Sequence, residues 1–341
     1  MNQKRPTRAN ALPKLLVIFS GIQPTGNLHV GNYLGAVKNW VDLQNSGTYQ
    51  CYFCIVDYHS LTGDMSAKDR HEQITRTAAE LLATGVDPEK SVFFVQSHVQ
   101  EHTELGWVFN CVTPIAELER MTQFKDKAER QKKNINAGLF TYPVLQAADI
   151  LLYHGTHVPV GEDQVQHVEL TRDIARWFNK RYGDYFPETK ALLTETPRVK
   201  SLLAPEKKMS KSLGAGHVIE LADEPAVIRQ KVKKAVTATE GGGPAVAGGV
   251  ENLLLLLKHF GTKKAYADFV EAEKDGSIQY GELKNAVSDA VGSYFANFRE
   301  RRKQLLEHHD EIAGILIAGA EKARIVAEKT MEEVRKLVGV R

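Results

Sequence analysis

Short apolar runs alternate with longer amphipathic segments in the first half of the chain. The runs are rich in Val, Ile and Phe, as buried strands are, and cover residues 15–19, 51–57, 91–97 and 157–160. Apolar residues at helical spacing lie between and after them, in residues 34–43, 65–84, 101–111, 143–153 and 164–181. Ser66 is the predicted N-cap of the second of these helices. This alternation predicts an α/β fold with a doubly wound parallel sheet covered by helices on both faces.

The second half has a different pattern, with little strand signal. Its apolar spacing predicts helices at 226–236, 250–260, 263–272, 280–313 and 318–337. Residues 241–249 are dominated by glycine, a composition typical of a flexible surface loop. We therefore expect a flexible basic tail over residues 1–14, a doubly wound domain over 15–207, and a lysine-rich loop with an all-helical domain over 208–341. The last helix is expected to pack back on the doubly wound domain.

Charge and overall composition exclude few functions. Charged residues make up 25% of the chain and hydrophobic residues 43%, which is ordinary for a globular protein. The net charge of +2 neither identifies nor excludes a nucleic-acid-binding protein. The apolar run at 15–19 is too short for the core of a secretion signal, and the leucine run at 253–257 is too short to cross a membrane. We therefore expect a cytoplasmic protein with no membrane partner.

Two of the three cysteines form a C-x-x-C pattern at Cys51 and Cys54. They lie within a predicted strand, and residues three apart on a strand point to opposite faces of the sheet. The two thiols therefore cannot ligate one metal ion, and the chain has no second C-x-x-C to complete a zinc site. The sequence indicates two buried cysteines and no protein-held metal.

Residues 21–33, with the sequence GIQPTGNLHVGNY, lie where the first strand passes into the first helix. In open parallel sheets, ligands bind beyond the carboxyl ends of the strands. The glycines let a ligand approach the main chain, and the N-terminus of a helix favours phosphate. His29 and Asn32 lie one turn apart on the same side of that helix. The stretch has the parts of a nucleotide site, but by itself it is also compatible with a tight turn that carries a surface histidine.

A second stretch, KKMSKS at residues 207–212, lies between Pro205 and Gly214, near the expected domain boundary. Lysines among small hydroxyl residues indicate a mobile cationic loop. Lysine is a point charge on a long stem, so it can follow a phosphate through a reaction. Taken alone, such a run is usually a solvated loop.

Together the two stretches resemble the HIGH and KMSKS signatures of class I aminoacyl-tRNA synthetases, at residues 29–32 and 208–212. Asn32 replaces the final histidine of HIGH, as it often does in the tryptophan and tyrosine branch. The blocks at 19–26, 119–127, 142–151 and 160–164 resemble bacterial tryptophanyl-tRNA synthetases, and the likeness extends over nearly the whole chain from Leu15 to the C-terminal helix. The resemblance implies a Rossmann-like catalytic domain followed by a helical domain that binds the tRNA anticodon.

The block at 142–151 can also be interpreted from its residues alone. Pro143 suits the first position of a helix, and Tyr142, Gln146 and Asp149 then share one face. A carboxylate on so apolar a helix is costly unless it is paired. Its partner could be a buried arginine or a capped backbone. It could also be a ligand with one buried donor, such as the indole N–H of tryptophan.

Gln146 keeps a tyrosyl-tRNA synthetase open as an alternative. Tryptophan enzymes commonly have Met at this position and tyrosine enzymes have Gln, whereas the blocks at 19–26 and 119–127 favour tryptophan. A non-catalytic paralogue that binds tRNA or nucleotide is a further alternative, but the KMSKS lysines and Asp149 are intact. A small nucleotidyltransferase with an HxGH-type loop would resemble only the first half of the chain.

The resemblance implies that the chain activates L-tryptophan with ATP to tryptophanyl-adenylate and pyrophosphate, and then transfers the tryptophanyl group to tRNA(Trp). It also implies Mg²⁺ that bridges the phosphates, a homodimer, and no role for DNA. The anticodon would be read by the helices between about residues 225 and 296. Basic residues on the later helices either contact tRNA phosphates or form a solvated face: Arg299, Arg301, Lys303, Lys322 and Arg324.

The resemblance further implies roles for single residues. The catalytic residues would be His29, Asn32, Lys125, Lys127, Lys208 and Lys211. ATP would be bound by Gln23, Pro24, Thr25, Gly31, Asn32, Gly161, Glu162, Asp163, Val199 (through its backbone), Lys208, Met209, Ser210, Lys211 and Ser212. Tryptophan would be bound by Phe19, Gly21, Gln23, Val56, Tyr142, Gln146 and Asp149.

Overall fold

The computed structural model describes residues 16–122, 135–161, 164–193, 197–237 and 245–340. Its centre is a five-stranded parallel sheet with strand order β3-β2-β1-β4-β5. The strands are β1 Leu16–Ile22, β2 Tyr49–Ile55, β3 Ser91–Val95, β4 His157–Val160 and β5 Lys190–Leu193. Ile18 of β1 lies opposite Cys51 of β2 on one side and opposite His157 of β4 on the other. The strand order reverses at β1, and this reversal creates a crevice where β1 ends.

Eight helices in the described residues accompany the sheet: α1 Val30–Asn32, α2 Lys38–Asn45, α3 Asp57–Ser60, α4 Ala67–Ala83, α5 Glu101–Asn110, α6 Ile115–Glu119, α7 Ala137–Leu151 and α8 Val165–Tyr182. A π-helical segment, Tyr33–Val37, joins α1 to α2. Six more helices follow: α9 Pro225–Lys233, α10 Ala245–Phe260, α11 Lys263–Lys274, α12 Tyr280–Tyr294, α13 Ala296–Glu307 and α14 His309–Val338. None of the helices in the described ranges has both the length and the apolar character that a bilayer crossing requires.

Both faces of the sheet are covered, which confirms the predicted α/β fold. Ile18, Cys51 and Phe53 belong to the apolar cluster on one face, whereas Phe19 and Cys54 belong to the cluster on the other. The two cysteines therefore lie on opposite faces, as the sequence predicts. Burial raises the pKa of the Cys51 thiol to about 11.

The strands were predicted more completely than the helix ends. All four predicted strands are present, and Ser66 caps α4 by accepting a hydrogen bond from the backbone N–H of Asp69 at 3.1 Å. Strand β5 was not predicted, because only four residues, Lys-Ala-Leu-Leu, form this edge strand and they give no alternating pattern.

The predicted start of the helix around Pro143 was wrong. The helix α7 begins at Ala137, so Pro143 lies inside it rather than at its first position. Asn136 is the N-cap, and its side chain accepts a hydrogen bond from the backbone N–H of Leu139 at 2.9 Å. The cap and the burial of the helix outweigh the backbone hydrogen bond that an internal proline removes.

Two predictions for the helical half were also wrong. Residues 280–313 are not one helix, because Phe295 and His308 leave helical geometry and separate α12, α13 and α14. The last helix begins at His309 rather than at residue 318. Asp310 and Glu311 lie in its first turn, where acidic side chains stabilise a helix. Gly314 lies inside this helix.

The predicted glycine-rich loop at residues 241–249 was wrong for its second half. Helix α10 begins at Ala245, so residues 245–249 are helical, and residues 238–244 lie outside the described ranges. A Cβ atom on Gly249 would collide with the carbonyl oxygen of Val236. This glycine therefore allows α10 to approach the neighbouring backbone closely.

The last helix, α14, packs against the sheet domain. Gly319 lies directly against the backbone of Phe93 in β3. Thr330 donates its hydroxyl to the carbonyl of Leu152 at 2.9 Å, and Arg335 pairs with Glu104 of α5. The C-terminal helix therefore crosses back over the first half of the chain.

Candidate active site

The turn between β1 and α1 is fixed from several sides. Gly26 has φ +74°, a conformation that side-chain-bearing residues rarely adopt. The backbone N–H groups of Val30 and Leu221 bond the carbonyls of Ile219 and Leu28, both at 2.9 Å, so the turn is held against residues 219–221. The turn therefore presents a defined backbone surface at the carboxyl end of the sheet.

His29 is the N-cap of α1 and forms a reciprocal pair with Asn32. The His29 ring Nδ1 accepts a hydrogen bond from the backbone N–H of Asn32 at 3.3 Å, and the Asn32 side chain accepts one from the backbone N–H of His29 at 3.1 Å. Burial, together with the charges of Lys211 and Lys208, lowers the pKa of His29 to about 4. The ring is therefore neutral at pH 7, and its proton lies on Nε2, where it can be donated to an oxygen atom.

The lysine-rich loop folds back onto this turn. The backbone N–H of Met209 bonds the carbonyl of Val199 at 3.0 Å, and the N–H of Ser201 bonds the carbonyl of Lys207 at 2.9 Å, which makes a short antiparallel pairing. The Met209 side chain is buried and faces Gly31. This pairing anchors the loop at its base.

Lys211 reaches the turn itself. Its ammonium group donates hydrogen bonds to the carbonyl oxygens of Thr25 and Asn27, the second at 2.8 Å. Burial lowers the pKa of Lys211, while the charges of Glu220 and Glu80 act in the opposite direction. A Cβ atom on Gly26 would lie 2.9 Å from the Lys211 nitrogen, so the lysine can lie here because residue 26 is glycine.

A cavity of about 210 Å³ opens beside this contact. It is lined by Ile22, Gln23, Thr25, Gly26, Leu28, Asn32, Thr77 and Lys211. Typical ligand pockets measure roughly 300–1,000 Å³, so the cavity holds a phosphate-sized group and not a whole nucleotide. The Lys211 ammonium group and the amide and hydroxyl side chains in its lining make it suited to an anion.

Asp149 lies in a separate, fully buried polar cluster. Its Oδ1 atom accepts hydrogen bonds from Gln96 at 2.7 Å and from His102 at 2.7 Å, and its Oδ2 atom is bonded to His59 at 2.9 Å. Burial would raise the pKa of Asp149, but the charges and hydrogen bonds of His102 and His59 outweigh it and keep the pKa below its usual value. The partners of Asp149 within the chain are therefore two histidines and an amide, and the alternative of a buried arginine or a capped backbone was wrong.

Several residues expected to bind an amino acid surround this cluster. Phe19 stacks on Tyr153, whose hydroxyl bonds His102 at 2.8 Å. Tyr142 contacts the ring of His59 edge-on, with 6.2 Å between ring centroids, and its hydroxyl bonds His167 at 2.9 Å.

Of the other residues in this set, Gln23 lines the 210 Å³ cavity, and Gly21 and Val56 lie where β1 and β2 end. A Cβ atom on Gly21 would lie 2.7 Å from Val56 Cγ1, which shows how closely β1 approaches the end of β2. Gln146 is half-buried on α7.

The structure describes only some of the other predicted site residues. Lys125, Lys127, Glu162 and Asp163 lie outside the described residues. Gly161 directly follows β4. Pro24 is buried in the turn, and Lys208 and Ser212 are exposed on the loop, where Ser210 and Ser212 share a hydroxyl hydrogen bond at 2.9 Å.

The backbone of Val199, expected to contact adenine, already has partners within the chain. Its N–H bonds the carbonyl of Pro197 and its carbonyl accepts from Met209, both at 3.0 Å. The second lone pair of the carbonyl is the group left for a ligand.

Sequence reasoning missed His59, Gln96 and His102 as members of the Asp149 cluster. They lie within a few residues of the ends of β2 and β3, at the sheet edge where ligands bind. Polar residues shortly after buried strands are the signal that could have identified His59 and Gln96, whereas His102 lies further on, in α5, and carries no such signal. Glu80 was also missed; it is a lone carboxylate in the apolar run of α4, and it is fully buried.

Metal ligands and a second cavity are the remaining features of the site. No group of three or more His, Cys, Asp and Glu side chains in the described part of the chain is arranged to hold a metal ion. A cavity of about 350 Å³ shares His59 with the Asp149 cluster and is also lined by Tyr142, Leu61 and Trp107.

Comparison with known proteins gives a consistent family. The family model described as "tRNA synthetases class I (W and Y)" matches residues 13–296. The tryptophanyl-tRNA synthetase of Campylobacter jejuni, whose crystal structure is a complex with ADP and tryptophan, is 33% identical with a TM-score of 0.83, and the match covers 95% of this chain and 100% of that one. The Mycoplasma pneumoniae tryptophanyl-tRNA synthetase is 31% identical with a TM-score of 0.83, over 96% of this chain and 99% of that one.

A tyrosine enzyme is less similar. The tyrosyl-tRNA synthetase of Archaeoglobus fulgidus, complexed with L-tyrosine, is 20% identical with a TM-score of 0.66, over 84% of this chain and 90% of that one. This likeness shows a common fold only. The family match and the two bacterial structures together show that the chain belongs to the class I tRNA synthetases for tryptophan and tyrosine, on their tryptophanyl-tRNA synthetase branch.

Proposed function

We propose that the chain joins L-tryptophan to tRNA(Trp) in two steps, with tryptophanyl-adenylate as the intermediate. The contact between Lys211 and the turn that carries His29 and Asn32 carries this proposal, because it joins the two signature stretches at one anion-sized cavity. The similar Campylobacter jejuni enzyme has ADP and tryptophan bound, which supports the same pair of ligands here.

In the first step a carboxylate oxygen of tryptophan attacks the α-phosphorus of ATP, and the bond to pyrophosphate breaks. Negative charge moves onto the leaving pyrophosphate, so catalysis requires positive charge and hydrogen-bond donors in fixed positions. The neutral His29 can donate from Nε2, and Lys208 and Lys211 supply positive charge. No side chain needs to form a covalent bond.

Lys211 must leave its carbonyl partners to take part. The carbonyls of Thr25 and Asn27 hold its ammonium group in place of phosphate oxygens. Phosphates are the stronger acceptors because they are charged, so ATP binding exchanges one set of partners for the other.

Asp149 would accept the indole N–H of tryptophan. An ionised carboxylate offers about four lone-pair positions, and three are already used. The indole would take the remaining position or displace His59 from Oδ2. Phe19, Gly21, Val56 and Tyr142 would surround the ring. A site built around a buried acceptor rejects amino acids that have no matching donor.

Mg²⁺ would enter with ATP, held by the phosphates, since this ion commonly keeps substrate phosphates and water as ligands. In the second step a hydroxyl of the terminal tRNA ribose attacks the activated carbonyl and releases AMP. The proposed domains remain residues 15–207 for catalysis and 208–341 for the KMSKS loop and the anticodon, and the proposed location is the cytoplasm.

We also propose a homodimer. Exposed apolar side chains support an interface beside the 350 Å³ cavity, where Trp107 is 69% exposed and Leu61 lies in the same wall. Sedimentation equilibrium should show a dimer that Trp107→Glu dissociates. The control Ile325→Glu, at a side chain 71% exposed on the last helix, should remain a dimer. A wild-type monomer, or equal behaviour of the two variants, would reject this surface.

Exchange of labelled pyrophosphate into ATP tests the function directly. Each of the twenty amino acids is supplied separately, and only tryptophan should support exchange, because only it offers an indole N–H to Asp149. Exchange with tyrosine alone would identify a tyrosine enzyme. Binding of ATP or tRNA without exchange for any amino acid would indicate a non-catalytic paralogue.

A further inference from the structure

Glu80 is a fully buried carboxylate on α4 that holds two distant parts of the chain. Its Oε2 atom accepts the backbone N–H of Leu28 at 2.6 Å, and its Oε1 atom accepts Nε–H of Arg302 at 2.9 Å. Leu28 belongs to the turn beside the 210 Å³ cavity, and Arg302 belongs to α13 in the helical half. The carboxylate therefore links the nucleotide side of the site to the C-terminal helices.

The link acts on one particular peptide unit. The N–H of Leu28 and the carbonyl of Asn27 belong to the same peptide, and that carbonyl accepts the Lys211 ammonium at 2.8 Å. The two groups of a planar trans peptide point in opposite directions. By holding the N–H, Glu80 aims the carbonyl at Lys211. Thr77, one turn before Glu80 on the same helix, lines the cavity.

Simple packing does not account for Glu80. Its neighbours on α4 include Ala78, Ala79 and Leu81, all fully buried, so an apolar residue would fit the pattern of the helix. Replacing a buried ion pair by well-packed apolar side chains is often neutral or stabilising. Burial raises the pKa of Glu80, although Leu28 and Arg302 act against this. The free-energy cost of burying this charge is explained by its role in orienting the Asn27–Leu28 peptide.

We propose that Glu80 and Arg302 are positioning residues for nucleotide binding: Arg302 holds Glu80, and Glu80 fixes the Asn27–Leu28 peptide that receives Lys211. This inference rests on the proposed function. It implies that Arg302, in the helical half, affects the binding of ATP and does not affect the binding of tryptophan at the Asp149 cluster.

Arg302→Met tests the inference, with Arg335→Met as a matched control. The Arg302 side chain is 19% exposed and pairs with Glu80, and the Arg335 side chain is 22% exposed and pairs with Glu104; both join a C-terminal helix to the first half. Arg302→Met should raise the KM for ATP in pyrophosphate exchange about tenfold, the effect of one hydrogen bond to a charged group. The KM for tryptophan should change less than about twofold. Arg335→Met should change the KM for ATP less than about twofold.

The double variant Glu80→Gln with Arg302→Met tests whether a neutral acceptor for the Leu28 N–H is enough to restore ATP binding. Its amide oxygen can still accept the Leu28 N–H, and it leaves no unpaired buried charge. The KM for ATP should return to within about threefold of wild type, because mutations of contacting residues are not additive.

Three results would overturn the inference: equal effects of Arg302→Met and Arg335→Met on ATP, equal effects of Arg302→Met on both substrates, or no recovery in the double variant. If wild-type protein supports no exchange with tryptophan, the proposed function itself fails. ATP affinity measured by calorimetry then gives the same comparison between the variants without catalysis.

Discussion

Two polar centres lie at the site, one around Lys211 and one around Asp149, and they satisfy their charges in different ways. Lys211 is partly exposed and is held by backbone carbonyls of a glycine-containing turn. Asp149 is fully buried and is held by side chains from three other segments. We expect the first arrangement to exchange its partners for a phosphate and the second to stay fixed as an acceptor. A mobile cation beside a fixed acid suits a reaction in which phosphates move and an amino-acid side chain stays still.

The largest effect is expected at the rigid centre. Asp149→Ala removes the acceptor of three buried donors, and truncating one member of a buried charged network costs about 2–5 kcal/mol in binding. We therefore expect kcat/KM for tryptophan to fall by roughly a hundredfold or more, at 1.4 kcal/mol for each factor of ten. ATP affinity should change little.

Asp149→Asn is the conservative control, because it retains the size and one acceptor oxygen. It should lose less tryptophan activation than the alanine variant. Equal losses of ATP and tryptophan affinity in Asp149→Ala, measured by equilibrium binding, would contradict the separation of the two centres.

Lys211→Met should slow adenylate formation, because it removes the cation of the centre around Lys211. It removes one donor to the developing pyrophosphate charge, and loss of one such donor typically costs about a hundredfold to a thousandfold in rate. The KM for tryptophan should remain within about threefold, because Asp149 is untouched. Single-turnover formation of tryptophanyl-adenylate is the measurement, with Lys207→Met, at an exposed neighbouring lysine, as the control. Similar rates for the two variants would remove Lys211 from the reaction.

The smallest expected effect is the change of folding stability with pH that arises from His29. Its pKa is lowered from 6.5 to about 4, so the unfolded state binds more protons between these values, and stability should fall as the pH drops through this window. The loss is at most on the order of 3 kcal/mol. His29→Gln should reduce it, as urea unfolding at pH 7 and pH 4.5 would measure. An unchanged loss would place the titrating group elsewhere.

The same protonation state also makes a prediction for activity. His29 should be neutral throughout pH 6–8, so the pH profile of exchange should contain no step from this ring. In Lys211→Met, its pKa should rise but stay below 6.5, because burial, the largest cause, remains. Titration of the ring carbon signals by NMR measures both values.

The mobile centre was predictable from the sequence because its parts are local. His29 and Asn32 are three residues apart, and the KMSKS stretch is continuous, so each can be recognised without knowledge of the fold. The parallel sheet was predictable for the same reason, since its strands are continuous apolar runs. The helix breaks at Phe295 and His308 could not be predicted. The apolar pattern there is continuous, and tertiary packing determines where the helices end.

The surroundings of Asp149 could be predicted only in part. The cost of burying a carboxylate indicated a partner, but His59 lies 90 residues away in the sequence, and only the strand order brings it close. Glu80 and Arg302 are 222 residues apart and carry no motif. Long-range pairs of this kind depend on the assembled fold.

A crystal structure of the chain with tryptophan and a non-reactive ATP analogue tests the central claim most directly. The account predicts the indole nitrogen about 3 Å from an Asp149 oxygen, and the Lys211 ammonium on a phosphate oxygen instead of the Thr25 and Asn27 carbonyls. An indole bound away from Asp149, with Lys211 still on those carbonyls beside bound nucleotide, would contradict it.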